Sequence, residues 1–531
     1  MTVQPIDTAV VGAGVSGLYA AWRLKKASPD KTIVVYEASG RVGGRLLSVR
    51  PPGIPKMVAE LGGMRILPAV QPRIKRLLEV LNKELPSQQT IETFDFPVDE
   101  PQNLAYLRGV HLRLSDFTSS PDTVPYALTF YERGMKPSGV ILSAIEQIVP
   151  GVTRPGLTEE QRRQLTRQTE FGGVPLYQQG FWNVLVRVVS GESYQLGFDA
   201  GGYSSTLINW NACDAIPWYL SDFGVDAKYQ GFRKGFQEVP KVLAELFKKA
   251  GGNVRLEAPL GGFRPSEGGF ELRIGGETVV ARELILAMPR RALELLTPSS
   301  PPLQEIQDLV ESVTPRPLFK LFTTYKSPWW RSAGFIDAEG KLIAVEAGRS
   351  VTDLPVRQTY YWPHDDGKPV REGPAMLLAS YDDGGNVGFW DGLRPRRRRQ
   401  ARPTVQEVAP PVPAFQGTQT GQPRSSWDLY KAPAPMVAEV ARQLAMIHGL
   451  AYTPEVQDAA FRDWGEDPFG GGWNSWNIGV KSWEIKAKIV KPFDAHRLFI
   501  CGEAYSDAQG WVEGALQTAD MVLDKFDLKP L

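Results

Sequence analysis

The chain has 531 residues, 42% of them hydrophobic and 22% charged, which predicts a globular protein that divides into two or more packed domains. Lys and Arg number 60 against 59 Asp and Glu, for a net charge of +1, so neither nucleic acid nor an anionic membrane is expected as a partner. Two cysteines and four scattered histidines offer no disulfide framework and no spacing typical of a metal site, so we expect no metal.

The first residues of the chain and the length of its apolar runs indicate the cellular compartment of the protein. A strand-like run begins at residue 6, without the basic segment, apolar stretch and cleavage site of a signal peptide. No run of 18 apolar residues occurs, which argues against a membrane-spanning helix. We therefore expect a cytoplasmic protein.

Residues 6–37 have the order and length of one βαβ unit. The apolar run at 6–11 predicts a buried strand, residues 18–26 are good helix formers, and the β-branched run at 32–36 predicts a second strand. Further helices and strands of an α/β pattern are predicted at 235–250, 254–256, 270–274, 283–287, 498–501 and 514–525.

The turn after the first predicted strand carries Gly12-Ala-Gly14-Val-Ser-Gly17, which fits the G-x-G-x-x-G pattern of a dinucleotide site. The first glycine allows the tight turn, the second lets backbone amides approach a pyrophosphate, and the third permits close packing of helix on strand. Glu37 follows Gly17 by 20 residues, where a carboxylate can accept hydrogen bonds from ribose hydroxyls. This motif alone does not separate FAD from NAD.

The next segment separates the two cofactors. Glu37-Ala-Ser-Gly40-Arg41-Val-Gly43-Gly44-Arg45 resembles the E-x(3)-R-x-G-G-R extension of the flavin amine oxidase family, and Cys501-Gly-Glu503 with Gly510 to Ala515 resembles its closing motif. The arginines would supply charge to a pyrophosphate, and the glycine pair would let the backbone approach the cofactor. The resemblance implies FAD, held noncovalently because the segment Phe469-Gly-Gly-Gly-Trp473 lacks the family's linking cysteine. It further assigns to the cofactor Gly62, Gly63, Met64, Arg65, Val254, Glu503, Trp511 and Val512.

The fold class that follows is α/β and α+β, with a Rossmann-like FAD-binding domain assembled from discontinuous segments. We predict that this domain comprises residues 1–64, 232–314 and 490–531, beside a mixed-sheet substrate-binding domain at 65–120 and 315–489 and a helical insertion at 121–231. Residues 394–425 begin with an arginine run and continue rich in Pro, Gln and Thr, which predicts a mobile surface loop. A homodimer is expected.

Within the family, Glu60-Leu-Gly62-Gly63-Met64-Arg65 resembles the L-amino acid oxidases, in which this arginine forms a bidentate pair with the substrate carboxylate. The alternative for Arg65 is a structural salt bridge. A tyrosine hydroxyl reaches the same carboxylate in that branch, and Tyr360 and Tyr361 stand in the matching segment. Since side chains alternate along a strand, only one of them can face the pocket, and we favour Tyr361.

Lys320 lies between Leu318 and Phe322 on one face of a predicted strand, where an ammonium needs a partner. The family places here a lysine that is linked through water to the flavin and serves its reoxidation by dioxygen. A lysine whose ammonium reaches solvent is the alternative.

Aromatic side chains complete the predicted substrate site. Trp511, with Trp473 or Trp476 opposite, would form walls that orient the amine, and the carbonyl of Gly510 would accept its hydrogen bond. With 14 tryptophans in the chain, ordinary core positions are the alternative for each.

The predicted reaction is the oxidation of an L-amino acid by FAD and dioxygen to a 2-oxo acid, ammonia and hydrogen peroxide. Three alternatives remain open: an amino acid 2-monooxygenase, an amine oxidase or dehydrogenase without a carboxylate requirement, and a flavin-bearing binding or regulatory protein that uses the arginine run near residue 394 for nucleic acid.

Overall fold

A computed structural model describes residues 5–224, 228–333, 344–395 and 426–531. The predicted surface loop at 394–425 therefore lies outside the described residues except for Arg394 and Pro395. In the described part of the chain, no helix is long and apolar enough to cross a membrane.

The first sheet has seven strands and carries the predicted dinucleotide turn. Strand Ile6–Val11 lies at its centre and pairs in parallel with Ile33–Tyr36 and with Glu277–Leu286. The apolar residues of Ile33–Tyr36, and those in the second halves of Ile6–Val11 and Glu277–Leu286, are buried, as parallel strands covered on both faces require. The remaining strands are Asn253–Arg255 beside Ile33–Tyr36, Leu498–Ile500 beside Glu277–Leu286, and the antiparallel pair Gly269–Ile274 and Leu260–Ser266.

Three helices cover one face of this sheet, namely Val15–Ala27, Glu238–Lys249 and Val512–Asp524. Their apolar residues share one core with the central strands. The carboxyl ends of the parallel strands consequently meet the N-termini of the first and last of these helices, the edge at which ligands bind in such sheets.

The second sheet is mixed and also has seven strands. Its strand Leu318–Tyr325 pairs with Ala375–Asp383 and Asp458–Asp463, both antiparallel. A core rich in buried tryptophan packs on it. Its other strands are Gln358–Tyr361, Arg349–Thr352, Leu104–Leu107 and Val110–Arg113.

The predicted helical insertion contains helices Pro137–Ile148, Glu159–Gln168, Phe181–Leu185, Gly191–Gly201 and Ala212–Phe223. A capping box opens the second of them, because the Thr158 hydroxyl accepts from the backbone of Gln161 and the Gln161 side chain accepts from the backbone of Thr158. The core of this insertion includes Trp473 from the mixed-sheet region, so the insertion packs against the predicted substrate site.

Further helices and two-stranded pairs complete the structure. The other helices are Pro72–Glu84, Asp116–Ser119, Arg290–Leu296, Pro301–Glu305, Gln307–Val310, Val387–Asp391, Ala434–Ile447 and Ser482–Val490. Two-stranded pairs join Ser48–Val49 to Ala59–Glu60, Thr93–Asp95 to Gln230–Phe232, Glu170–Phe171 to Val174–Pro175, and Val313–Arg316 to Trp473–Trp476.

One strand is longer than predicted. The predicted segment 283–287 is the second half of Glu277–Leu286. The first half is polar and half-exposed, so its hydrophobic pattern is weak, and it is held by antiparallel pairing with Gly269–Ile274.

Candidate functional site

A single cavity of about 2150 Å³ contains most of the predicted site residues. Its wall includes the glycine-rich turn after the first strand, with Gly12 and Gly14, and Glu37 at the end of the second. Arg65 and Trp511 line the same cavity. A cavity that brings together a dinucleotide turn and a buried arginine suits a cofactor with a substrate beside it.

The three fingerprint glycines have separate roles. Gly12 has a φ of +111°, and a Cβ on it would lie 2.3 Å from the carbonyl oxygen of Ala287. A Cβ on Gly17 would lie 2.1 Å from the carbonyl oxygen of Gly12, whereas a Cβ on Gly14 would meet nothing within 4 Å. Gly12 and Gly17 thus permit the turn and the packing, and Gly14 leaves the backbone open to the cavity.

The helix Val15–Ala27 that follows this turn is suited to an anion. Its first turn has no acidic residue, and its N-cap residue Gly14 supplies no side-chain hydrogen bond. The first N–H groups of such a helix lack intrahelical partners and carry positive potential. A pyrophosphate would supply the missing acceptors.

The carboxylate of Glu37 is fixed at the cavity wall. Its Oε2 accepts a hydrogen bond from the backbone N–H of Ala13 at 2.8 Å, and its Oε1 accepts from the N–H of Ser39 at 2.9 Å. These bonds fix its orientation and leave other lone pairs that can accept from ribose hydroxyls.

The two arginines of the extension both line the cavity and have different partners. Arg41 donates to the carbonyl oxygens of Gly44 at 2.5 Å and Leu46 at 3.0 Å, and burial lowers the pKa of its guanidinium. Arg45 donates to the carboxylate of Glu503 at 2.5 Å. Arg41 therefore shapes the glycine loop, and Arg45 joins this loop to the closing motif.

The closing motif adds the last wall. Glu503, which also accepts from the amide of Asn474 at 2.9 Å, lines the cavity with Gly510, Trp511 and Val512. Gly510 has a φ of +85°, and a Cβ on it would lie 3.2 Å from the Cβ of Trp473. The helix Val512–Asp524 begins directly after this turn, so its N-terminus faces the cavity.

The predicted cofactor residue Val254 is not among the residues that line the cavity. It pairs with Val35 from the edge strand Asn253–Arg255 and is half-buried against the core on one face of the sheet. The cavity is lined a few residues later, by Glu257, Pro259 and Leu260. The chain therefore reaches the cavity only after strand Asn253–Arg255 has ended. The hydrophobic periodicity of the sequence does not show where this strand ends.

Arg65 is 6% exposed and lies at the cavity wall beside Gly62, Gly63 and Met64. Its Nη1 donates to the Tyr360 hydroxyl at 3.0 Å and its Nη2 to the Tyr203 hydroxyl at 3.3 Å. Within the described chain, no carboxylate oxygen lies within 4.0 Å of its guanidinium nitrogens. The partners of this buried cation are therefore neutral hydroxyls.

The ring of Tyr229 and the carboxylate of Asp222 complete the surroundings of Arg65. The guanidinium carbon of Arg65 lies 4.1 Å from the centre of the Tyr229 ring, and the Tyr229 hydroxyl donates to Asp222 at 2.5 Å. Burial raises the pKa of Asp222, and the charge of Arg65 opposes that rise. The cation is stabilised by aromatic faces and by a carboxylate beyond contact distance.

Tyr361 does not face the cavity, so the prediction for it is wrong. Its hydroxyl bonds to the hydroxyl of Ser350 at 2.7 Å and to Nε2 of His448 at 2.8 Å, inside the core of the second sheet. Tyr360 points to the opposite face and meets Arg65. The two tyrosines do point to opposite faces of the strand, as predicted, but in the observed register the one on the side of Arg65 is Tyr360.

Lys320 is 1% exposed and lies behind the loop that carries Arg65. Its Nζ donates to the carbonyl oxygens of Gly62 at 2.6 Å and Glu60 at 3.1 Å, and it lies 4.6 Å from the centre of the Tyr381 ring. Burial lowers the pKa of Lys320 to about 7 and raises that of the neighbouring Glu60 carboxyl to about 7. The ammonium does not reach solvent.

The predicted aromatic wall is present. Trp473 and Trp511 line the cavity, and Trp473 stacks on Trp218 of the helical insertion with centroids 5.5 Å apart. Trp476 is turned away and donates to the carbonyl of Ser506. Trp473 is thus the partner across from Trp511.

The helical insertion contributes side chains that were not predicted from the sequence. Tyr203, Trp218 and Asp222 line the cavity together with Tyr381 from the second sheet. No motif marks them, because their approach to Arg65 depends on packing between distant segments. The two cysteines are buried, and neither a cysteine nor a histidine lines the cavity in the described chain. No group of three or more metal-binding side chains occurs in the same residues.

Known proteins resemble this chain along its length. Aplysianin-A of Aplysia kurodai is 28% identical over 550 aligned positions, covering 98% of this chain and 90% of its own. Achacin of Lissachatina fulica is 25% identical, covering 98% and 93%. An L-amino-acid oxidase of Mus musculus is 25% identical over 72% of this chain and 54% of its own.

Solved structures agree on the fold. A putrescine oxidase variant with redesigned cofactor binding superposes with a TM-score of 0.66 at 17% identity, covering 99% of both chains. The sequence model described as flavin containing amine oxidoreductase matches residues 15–431. The chain therefore belongs to the flavin-containing amine oxidoreductase family.

Proposed function

We propose that this protein is an FAD-dependent L-amino acid oxidase. The reaction takes an L-amino acid, dioxygen and water to a 2-oxo acid, ammonia and hydrogen peroxide. The observation that carries the proposal is Arg65, a buried guanidinium at the cavity wall that has no carboxylate partner among the described residues.

The residues of the cavity fit noncovalent FAD. Gly14 and the uncapped helix after it suit the pyrophosphate, Glu37 suits the ribose, and Glu503 suits the ribityl chain. No cysteine or histidine of the described chain is available in the cavity wall for a covalent link. FAD, when bound, supplies the hydride acceptor.

A substrate carboxylate would complete the charge balance around Arg65. Removing a guanidinium from water is costly unless it gains charged hydrogen bonds, and hydroxyl partners compensate this cost only in part. A planar guanidinium can bind both oxygens of a carboxylate and so fix its position and rotation. Such an anchor has no use for a simple amine, which favours amino acids.

The aromatic wall would orient the amine end. Trp473 and Trp511 offer flat apolar faces that exclude water, and Gly510, which lines the cavity next to Trp473, would supply its carbonyl as the acceptor. With the carboxylate on Arg65 and the amine at Gly510, the α-carbon is held by two points. Hydride loss from a neutral amine needs no dedicated base at this position.

Lys320 is proposed to serve the reaction with dioxygen. Its ammonium lies behind the Glu60 to Gly62 backbone that borders the cavity. A cation held in a dry site stabilises negative charge that develops on dioxygen.

A substrate panel tests the proposal. Purified protein is supplied with L-amino acids and with the corresponding decarboxylated amines, and oxygen uptake, peroxide, ammonia and 2-oxo acid are measured. We expect peroxide, ammonia and 2-oxo acid in equal amounts from amino acids. An amide with carbon dioxide would indicate a 2-monooxygenase, and oxidation of amines alone would indicate an amine oxidase. Turnover with an artificial acceptor but not with dioxygen would indicate a dehydrogenase.

A further inference from the structure

We propose that Tyr203 of the helical insertion, and neither tyrosine of strand Gln358–Tyr361, donates the hydroxyl hydrogen bond that holds the substrate carboxylate beside Arg65. This inference rests on the proposed function, because it names a second group in the same carboxylate site. It follows from the directions of the hydrogen bonds around Arg65.

The single hydroxyl proton of Tyr360 is already engaged in a hydrogen bond. Its hydroxyl donates to Oε1 of Gln358 at 3.2 Å, and its oxygen accepts from Nη1 of Arg65 at 3.0 Å. A phenol has one O–H donor. Tyr360 also lies behind Arg65, outside the set of residues that line the cavity. It can hold the guanidinium in place but has no proton left for a carboxylate.

The direction of that bond depends on which end of the Gln358 amide faces Tyr360. Nη1 of Arg349 lies 2.8 Å from the same Gln358 atom, and a guanidinium can only donate, so that atom must be the oxygen. The amide nitrogen of Gln358 donates in turn to the carbonyl oxygen of Gly202 at 2.9 Å. Gln358 is completely buried. Its orientation, and hence that of the Tyr360 proton, is fixed at both ends.

Tyr203 differs from Tyr360 on both counts. Its side chain lines the cavity, and its hydroxyl accepts from Nη2 of Arg65 at 3.3 Å. Its ring also meets that of Tyr381, which lines the cavity too, with ring centroids 5.3 Å apart. Among the described residues, no acceptor within 3.5 Å takes the Tyr203 hydroxyl proton, so this proton can turn to an arriving carboxylate.

The backbone holds Tyr203 firmly in this place. Helix Gly191–Gly201 ends at Gly202, whose φ is +82° and whose Cβ, if present, would lie 2.6 Å from the Gln358 side chain. On the other side of Tyr203, the N–H groups of Ser204 and Ser205 donate to the carboxylate of Asp383 at 2.5 and 3.1 Å. A donor fixed by both neighbours loses little entropy when it binds.

The test compares Tyr203→Phe with Tyr361→Phe as a matched control. Both variants lose one hydroxyl, but Tyr361 faces Ser350 and His448 away from the cavity. The binding probe is the carboxylic acid that has the side chain of the best amino acid substrate but lacks its amine. Its binding is measured by titration, from the change in absorption of the protein's flavin. kcat/KM is measured for that amino acid and for its decarboxylated amine, and thermal unfolding checks the fold.

We expect Tyr203→Phe to lose about tenfold to a hundredfold in acid affinity and in kcat/KM for the amino acid, the range for one hydrogen bond to a charged group. The amine should be oxidised as by the parent, and Tyr361→Phe should bind the acid as the parent does. Unchanged acid affinity in Tyr203→Phe, or an equal loss with the amine, would overturn the inference while leaving the proposed function intact. If the parent protein neither oxidises amino acids nor binds the acid, the proposed function and the inference about Tyr203 are both wrong.

Discussion

The Nζ atom of Lys320 lies 2.6 Å from the carbonyl oxygen of Gly62, in the loop that carries Arg65. The bond links a strand of the second sheet to the backbone that borders the cavity, and it holds an ammonium where no solvent reaches it. A charge in this position can act on the site without touching the substrate.

Replacement of Lys320 by Met should slow the reaction with dioxygen and spare the reaction with substrate. Methionine matches the lysine side chain up to Cε but lacks the cation that would stabilise charge on dioxygen. Stopped-flow absorption measures the two half-reactions separately, with reduction under anaerobic conditions and reoxidation after mixing with dioxygen. Equal reoxidation rates in variant and parent would remove Lys320 from this role.

The rate of reoxidation should also depend on pH near neutrality. Burial lowers the pKa of Lys320 to about 7, against the opposing effect of Glu60, while the charge of Arg65 adds to the lowering. The ammonium form is therefore present below about pH 7 and is lost as the pH rises through that value. We expect the parental rate constant for reoxidation to fall over this interval and that of Lys320→Met to stay level. A flat parental profile would contradict the assignment.

The purified protein should be yellow and should release its FAD on acid precipitation. The glycine-rich turn and Glu37 provide a complete binding site for the dinucleotide, and the cysteines of the chain, Cys213 and Cys501, are both buried away from the cavity. The supernatant is assayed for FAD by fluorescence, before and after phosphodiesterase treatment to distinguish it from FMN. Flavin that remains in the washed pellet would show a covalent link.

The residues that could be predicted from sequence are those whose roles follow from local spacing. Gly12, Gly14 and Gly17 act within one turn, so six consecutive residues specify them. The choice between Tyr360 and Tyr361 needed the strand register, which is set by pairing with Ala375–Asp383 and with Arg349–Thr352. A one-residue change of register exchanges the faces of a strand.

Tyr203 could not be predicted for a different reason. It lies 138 positions from Arg65 along the chain, in a helical insertion without any recognisable motif. Its contact with the cavity results from how that insertion packs on the second sheet, through Gln358 and Asp383. Contacts of this kind depend on the tertiary arrangement and leave no pattern in either segment.

The prediction that bears most directly on the proposed function concerns Arg65. Truncation of one member of a buried charge pair typically costs about 2 to 5 kcal/mol, and about 1.4 kcal/mol corresponds to a factor of ten. Arg65→Ala should therefore lose roughly thirtyfold to several-thousandfold in kcat/KM for amino acids. Arg65→Lys should retain part of the activity, because it keeps the charge but not the two parallel hydrogen bonds.

A second substrate that lacks the carboxylate serves as the control for this prediction. The decarboxylated amine of the best amino acid has no group for Arg65 to bind, so Arg65→Ala should impair its oxidation far less. Comparing two enzymes with two substrates separates the carboxylate contact from general damage to the cavity. Flavin content should stay near the parental value, since the residues assigned to the phosphate and ribose, Gly14 and Glu37, lie in other segments of the cavity wall. If Arg65→Ala oxidises amino acids at the parental rate, the substrate class reverts to that of an unspecified amine oxidase.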